Sequence, residues 1–227
     1  MTQKRMFFAA GTVAVLAAAG IGYLAGSTTS PSEQSAPPAA VSPSAEPTSG
    51  TTDQSAYQAV FDRDDLTWKP HSSVETPFSR AHGPRVTEGG WSRGFARTPQ
   101  GAVLAAIHII FQTNGGGVPR AAQEAALAEQ VVGAEADHYR ERSLASAGPA
   151  EGIERIVLEA YRIISYTEHA AKVEFTTAAV KEQVERAGTT VDVVWQDGDW
   201  RMVAPSLETL EGFRVLDSLD GFIEFPR

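Results

Sequence analysis

The first residues that could do chemistry form a Gly-x-Ser-x-Gly pattern at Gly90-Trp91-Ser92-Arg93-Gly94. In hydrolases this pattern places a nucleophilic serine on a sharp turn between a strand and a helix of a large parallel sheet. Here residues 84–90 make a poor strand, and the next helix signal begins only at Thr98. The sequence therefore predicts a turn at Ser92 rather than a nucleophile.

Five histidines are the next candidates: His71, His82, His108, His138 and His169. No two of them lie four residues apart and there is no HExxH motif, so we predict no metal site. His108 shares a helical face with Leu104 and Phe111, which favours a partly buried core histidine.

Two further segments contain candidate residues. Asp137-His138-Tyr139 could line a pocket as general acids or bases, but a solvated helix face is the simpler prediction. Gly115-Gly116-Gly117 lacks the Lys-Ser/Thr of a phosphate-binding loop and is expected to end a helix. The sequence thus predicts no catalytic, cofactor-binding or metal-ligating residue, and no cofactor.

The charge balance is acidic, with 19 Lys and Arg against 28 Asp and Glu. Such a balance argues against a nucleic-acid partner, because contacts with phosphate groups need clustered Lys and Arg side chains. The chain has no Cys, which excludes disulfides, thiolate catalysis and a lipid-modified N-terminal cysteine.

The N-terminus, residues 1–26, carries Lys4 and Arg5 and then an uncharged run from Met6 to Ala25. A membrane-spanning helix needs roughly 20 residues, and this length favours a transmembrane anchor over a secretory signal peptide. Leu24-Ala25-Gly26-Ser27 could still serve as a cleavage site, so a secreted protein stays open. The positive-inside rule puts the N-terminus in the cytoplasm and the remaining chain outside.

Residues 27–56 are rich in Ser, Thr, Pro and Ala and are predicted to be a disordered linker. Residues 57–97 mix prolines, glycines and aromatic residues. We interpret them as an extended arm that packs on the domain.

The domain itself is predicted over residues 98–227. Thr98 is a suitable N-cap and Pro99 a suitable first residue for a helix that reaches Phe111 and is apolar on nearly all sides. Further helices are expected at about 118–132 and 134–145. Residues 180–186 could be a short helix or an irregular loop.

The strand signals follow the helices. Residues 154–166 and 171–177 have strand character, with a hairpin loop at 167–169. Asp197-Gly198 predicts a tight hairpin in which Trp195 lies opposite Trp200.

Helices followed by strands predict an α+β fold. We expect three N-terminal helices packed on a curved antiparallel sheet of about four strands, with the Thr98 helix on the face that carries the tryptophans.

The sequence shows two resemblances. The order of elements, ending in the hairpin at 191–203, resembles the nuclear-transport-factor-two-like fold over about residues 98–205. Gly83-Pro84 and the run Gly94-Phe95-Ala96-Arg97-Thr98-Pro99-Gln100-Gly101-Ala102, on an anchored chain, resemble uncharacterised membrane proteins of actinobacterial conjugative plasmids and integrative elements. Extracytoplasmic domains of this fold in type IV secretion systems are assembly parts.

The resemblance implies a membrane-anchored, non-enzymatic scaffold that binds other envelope or transfer-complex proteins and could oligomerise. The alternative hypothesis is a small-molecule-binding protein or enzyme that uses the cone-shaped cavity of the fold.

Overall fold

The computed structural model describes residues 59–71, 74–114, 118–145, 156–180, 184–206 and 213–227. Within them, three α-helices pack on one mixed sheet, and two short 3-10 helices span Arg63–Asp65 and Glu88–Gly90. The helices are α1 (Pro99–Thr113), α2 (Arg120–Gln130) and α3 (Ala136–Ala145). The strands are β1 (Leu66–His71), β2 (Val74–Ser79), β3 (Val131–Val132), β4 (Ile156–Tyr166), β5 (Ala170–Val180), β6 (Val184–Gln196), β7 (Asp199–Val203), β8 (Phe213–Leu216) and β9 (Ile223–Glu224).

The predicted fold class is wrong in the order of its elements and in the number of its strands. The strands β1 and β2 precede the helices, and the described sheet runs β1-β2-β4-β5-β6-β7-β3, with β8 on β6 and β9 on β4. The β2–β4 and β3–β7 pairs are parallel, so the sheet is not purely antiparallel.

Part of the segment interpreted as an extended arm therefore belongs to the sheet. The segment was interpreted as an arm outside the sheet, but Pro70 lies in β1, at one end of the described strand order. Proline is tolerated in an edge strand because a missing N–H there need not remove a ladder hydrogen bond.

The predicted anchor, 1–26, and linker, 27–56, lie outside the described residues. No helix among the described residues is both long and apolar enough to cross a membrane.

The start of α1 confirms the sequence prediction. Thr98 Oγ1 accepts the Gly101 N–H at 3.1 Å, and Pro99 takes the first helical turn without losing a donor. Residues 101–110 are all buried, because α1 lies across the sheet and contacts β2, β4, β5, β6 and β7. The helix is thus the centre of the core.

The hairpin between β6 and β7 also confirms its prediction. Asp197 and Gly198 have φ of 52° and 80°, as a type I′ turn requires. Trp195 lies opposite Trp200, and Val193 lies opposite Met202. Trp200 is fully buried.

The described part of 180–186 is strand rather than helix or irregular loop, because β5 ends at Val180 and β6 begins at Val184. In the tail, β8 lies beside β6 and β9 beside β4.

Candidate functional site

The connection between β2 and α1, residues 80–98, brings several candidate residues together. Asp199, at the start of β7, holds this connection through its carboxylate. Its two oxygens accept the N–H groups of Gly94 at 2.7 Å and Phe95 at 3.0 Å, and Oδ1 also accepts the Trp200 N–H at 2.9 Å. Three main-chain donors thus satisfy one part-buried carboxylate.

The end of the connection is fixed to the core. The Trp200 indole Nε1–H donates to the Ala96 carbonyl at 2.9 Å, and His82 Nδ1 lies 2.9 Å from Thr98 Oγ1. A Cβ on Gly101 would lie 1.9 Å from the Ala96 carbonyl oxygen. The first turn of α1 therefore packs directly on the connection, and this position requires glycine.

Ser92 and His108 meet in the interior. Ser92 Oγ lies 3.1 Å from His108 Nδ1, and His108 Nε2 lies 2.8 Å from the Pro77 carbonyl oxygen. Because a carbonyl only accepts, Nε2 carries the proton and Nδ1 accepts the serine O–H. Burial lowers the pKa of His108 to about 4, so the ring is neutral at neutral pH.

This contact has the form of a nucleophile beside a base, but its surroundings differ from those of a catalytic triad. Ser92 is 5 % exposed and His108 is 1 % exposed. The third partner is a main-chain carbonyl rather than a carboxylate, and Gln130 Nε2 donates to the Ser92 carbonyl at 2.7 Å. The pair joins the connection to α1, α2 and β2. Its role in this arrangement is structural.

Asp137, His138 and Tyr139 do not converge on one site. Asp137 and His138 are exposed, and Asp137 pairs with Arg140 at 2.7 Å. Tyr139 is buried, with its hydroxyl 3.2 Å from Thr113 Oγ1, and burial raises its pKa. The predicted solvated face thus holds for the first two residues only.

The other histidines are dispersed, and the described residues contain no group of three or more His, Asp or Glu side chains that could hold a metal ion. Burial lowers the pKa of both His71 and His82. His169 is exposed in the β4–β5 loop. The glycines at 115–117 lie outside the described residues.

The face of the sheet turned away from α1, which we call the outer face, carries a second polar cluster. Glu174 alternates with the core residues Val173 and Phe175, so it points to the outer face. Its side chain is 2 % exposed and pairs with Arg162 at 2.6 Å and with Arg214 at 2.7 Å. The cluster joins β4, β5 and β8.

Neither the curated proteins nor the solved structures include a match to the chain. One family model matches residues 27–224, a range that includes every described strand and helix. Its description is "Domain of unknown function (DUF8175)". Because the match covers well over half of the chain, the protein belongs to this family.

Proposed function

We propose that this protein is a non-enzymatic interaction module that an N-terminal anchor holds on the outer side of a membrane. The anchor, 1–26, and the linker, 27–56, are inferred from the sequence. Its partners would be other proteins of an envelope or conjugative transfer complex, as the resemblance to plasmid-borne membrane proteins implies.

The proposal is supported by the internal hydrogen bonds that three polar side chains make to the connection 80–98. Ser92, His108 and Asp199 all bind atoms inside the fold, and together they hold the connection 80–98 in place. The connection contains one short 3-10 helix, Glu88–Gly90, and a bridge between Val86 and Arg93. Connections between the main elements of a domain often carry function. An exposed connection on a rigid support is suited to binding a partner.

The test is site-specific crosslinking in intact cells. The chain has no cysteine, so a single engineered cysteine gives one attachment point. Thr87→Cys in the connection and His138→Cys on α3 are suitable because both residues are exposed. We expect a crosslinker with a maleimide at one end and a photoreactive group at the other to join at least one variant to a defined envelope protein. A lack of envelope-protein adducts at every position would contradict the proposal.

The anchor is tested separately by N-terminal sequencing of protein from the membrane fraction. An intact N-terminus supports anchoring. A new N-terminus near Ser27 would show a cleaved leader and a secreted domain.

The alternative, an enzyme, is favoured by one observation, the 3.1 Å contact of Ser92 Oγ with His108 Nδ1. It requires the serine to become accessible to a substrate in the folded protein, which chemical labelling can detect.

A further inference from the structure

We propose that the connection 80–98 is the docking surface of this module and that it binds a carboxylate-rich segment of another protein. This inference rests on the proposed function. It adds the surface that is used and the chemistry of the partner.

The connection is basic within an acidic chain. It contains four arginines, Arg80, Arg85, Arg93 and Arg97, and one acid, Glu88. The chain as a whole has 28 acids and 19 bases. A local excess of one sign attracts a partner of the opposite sign and steers its approach.

The side chains of Arg85, Arg93 and Arg97 donate hydrogen bonds to main-chain carbonyls. No described carboxylate forms an ion pair with them. Arg85 donates to the Gly94 and Ala81 carbonyls at 3.3 and 3.1 Å. Arg93 donates to the Glu88 carbonyl at 3.3 Å, and Arg97 Nε donates to the Glu168 carbonyl at 2.7 Å. Elsewhere, most described arginines do pair with carboxylates: Arg120, Arg140, Arg162, Arg186, Arg201, Arg214 and Arg227.

Two of the arginines lie over the rings of half-buried tryptophans. The Arg93 guanidinium lies 4.7 Å from the Trp91 ring centre, and that of Arg97 lies 5.5 Å from the Trp195 ring centre. A guanidinium held over an aromatic ring by a cation–π contact can still donate its N–H groups to a carboxylate. Tryptophan and arginine are also the residues that most often dominate binding energy at protein interfaces.

Three acids from other elements lie beside this surface. Asp199 accepts the Gly94 and Phe95 N–H groups, Asp65 pairs with Arg80 at 3.8 Å, and Glu168 accepts the Arg97 Nε–H through its main-chain carbonyl. Among the described residues, no ion pair joins these acids to Arg85, Arg93 or Arg97. Glu88 is exposed and is the only acid within the connection. Because the backbone is already held in place, binding costs little ordering entropy.

Charge complementarity identifies the occupant as a carboxylate-rich protein segment. A few guanidinium groups fixed in direction suit carboxylates, which accept paired N–H donors. An anionic lipid surface is the competing occupant, and the experiment is designed to separate the two.

The first experiment measures binding of a fluorescent decaglutamate peptide to the full chain in phosphatidylcholine nanodiscs. The variant is Arg85→Glu with Arg97→Glu. The control is Arg142→Glu with Lys172→Glu, which makes the same change in net charge on α3 and β5. We expect the variant to weaken binding by about tenfold or more and the control by less than about twofold. Thermal melting verifies that both proteins fold.

Equal losses in the variant and the control would show non-specific attraction and overturn the proposal. So would unchanged peptide binding by the variant. Arginine-dependent binding to phosphatidylglycerol vesicles without binding to the peptide would identify a lipid surface instead.

The second experiment separates this inference from the proposed function. The Arg85→Glu and Arg97→Glu changes are combined with Thr87→Cys or with His138→Cys in cells. We expect the adduct from position 87 to disappear and its partner peptide to be rich in Asp and Glu. Envelope-protein adducts that form only from position 138, unaffected by the arginine changes, would refute the docking surface and leave the interaction module standing. Absence of envelope-protein adducts from both positions would refute the module itself.

Discussion

His108 shows how a single buried residue links the fold to pH. Burial holds its pKa at about 4, against 6.5 for a solvated ring. Between these values the unfolded chain binds a proton that the folded chain does not. The contribution of His108 to the free energy of unfolding is therefore fully present above pH 6.5 and is lost as the pH falls towards 4. The full effect is roughly 3 kcal/mol, and denaturant unfolding at a series of pH values measures it.

The control for this pH effect is His108→Gln, which has no titrating ring at this position. Carboxylates and the other histidines, including His71 and His82, titrate in both proteins. The difference between the two stability profiles isolates His108. Parallel profiles between pH 6.5 and pH 4 would show that His108 is not held neutral by burial.

Ser92 provides a second test at the residue scale. Because its hydroxyl is buried and bonded to His108, we expect a fluorophosphonate probe to leave Ser92 unmodified in the folded protein. Mass spectrometry of the probe-treated protein checks this. Labelling of Ser92 that disappears in the folded His108→Gln variant would instead support the enzyme alternative.

At the scale of elements, the β6–β7 hairpin holds the core and the connection together. Trp200 is fully buried, and its indole N–H bonds the Ala96 carbonyl. Trp200→Ala should cost about 3–5 kcal/mol, a large share of the stability of a domain this size. Trp195→Ala is the matched control, because Trp195 is only half-buried and should cost less. Equal melting temperatures of wild type and Trp200→Ala would contradict this assignment.

The outer-face cluster joins β8 to the centre of the sheet through Glu174. Glu174→Gln removes ion pairs with Arg162 and Arg214, whose side chains are 37 % and 49 % exposed. We expect a loss of about 1–2 kcal/mol, below the value for a fully buried pair because water screens the arginines. Asp192→Asn, which breaks the exposed pair with Lys172, should cost less than about 1 kcal/mol. A Glu174 loss no larger than the Asp192 loss would contradict the assigned role.

Elements with strong local signals were predictable from sequence. Thr98 and Pro99 defined the start of α1, and Asp197-Gly198 fixed the register of its hairpin. The strands β1 and β2 were missed because Pro70 and Pro77 weaken any strand pattern, and their place in the sheet depends on tertiary pairing. The strand β6 continues through Gly188, where a Cβ would lie 2.6 Å from the Glu174 carboxylate, so that glycine is a packing requirement rather than a break.

At the scale of the whole molecule, the run Gly94 to Ala102 is the junction of the fold. Its residues contact the β6–β7 hairpin and the β4–β5 loop, and its last residues form the first turn of α1. A sequence pattern can mark such a junction, but it does not reveal what the junction contacts. The Ser92–His108 contact was not predictable for the same reason, since sixteen residues and a change of direction separate the two side chains.

The connection 80–98 is a fixed part of the fold, and native-state hydrogen exchange tests this most directly. The Gly94 and Phe95 N–H groups donate to Asp199, so we predict slow exchange in the wild type and fast exchange in Asp199→Ala. Amides in the middle of α1 should stay protected in both proteins. Exchange of the Gly94 and Phe95 amides at the rate of an unstructured peptide in the wild type would show that the connection is not fixed.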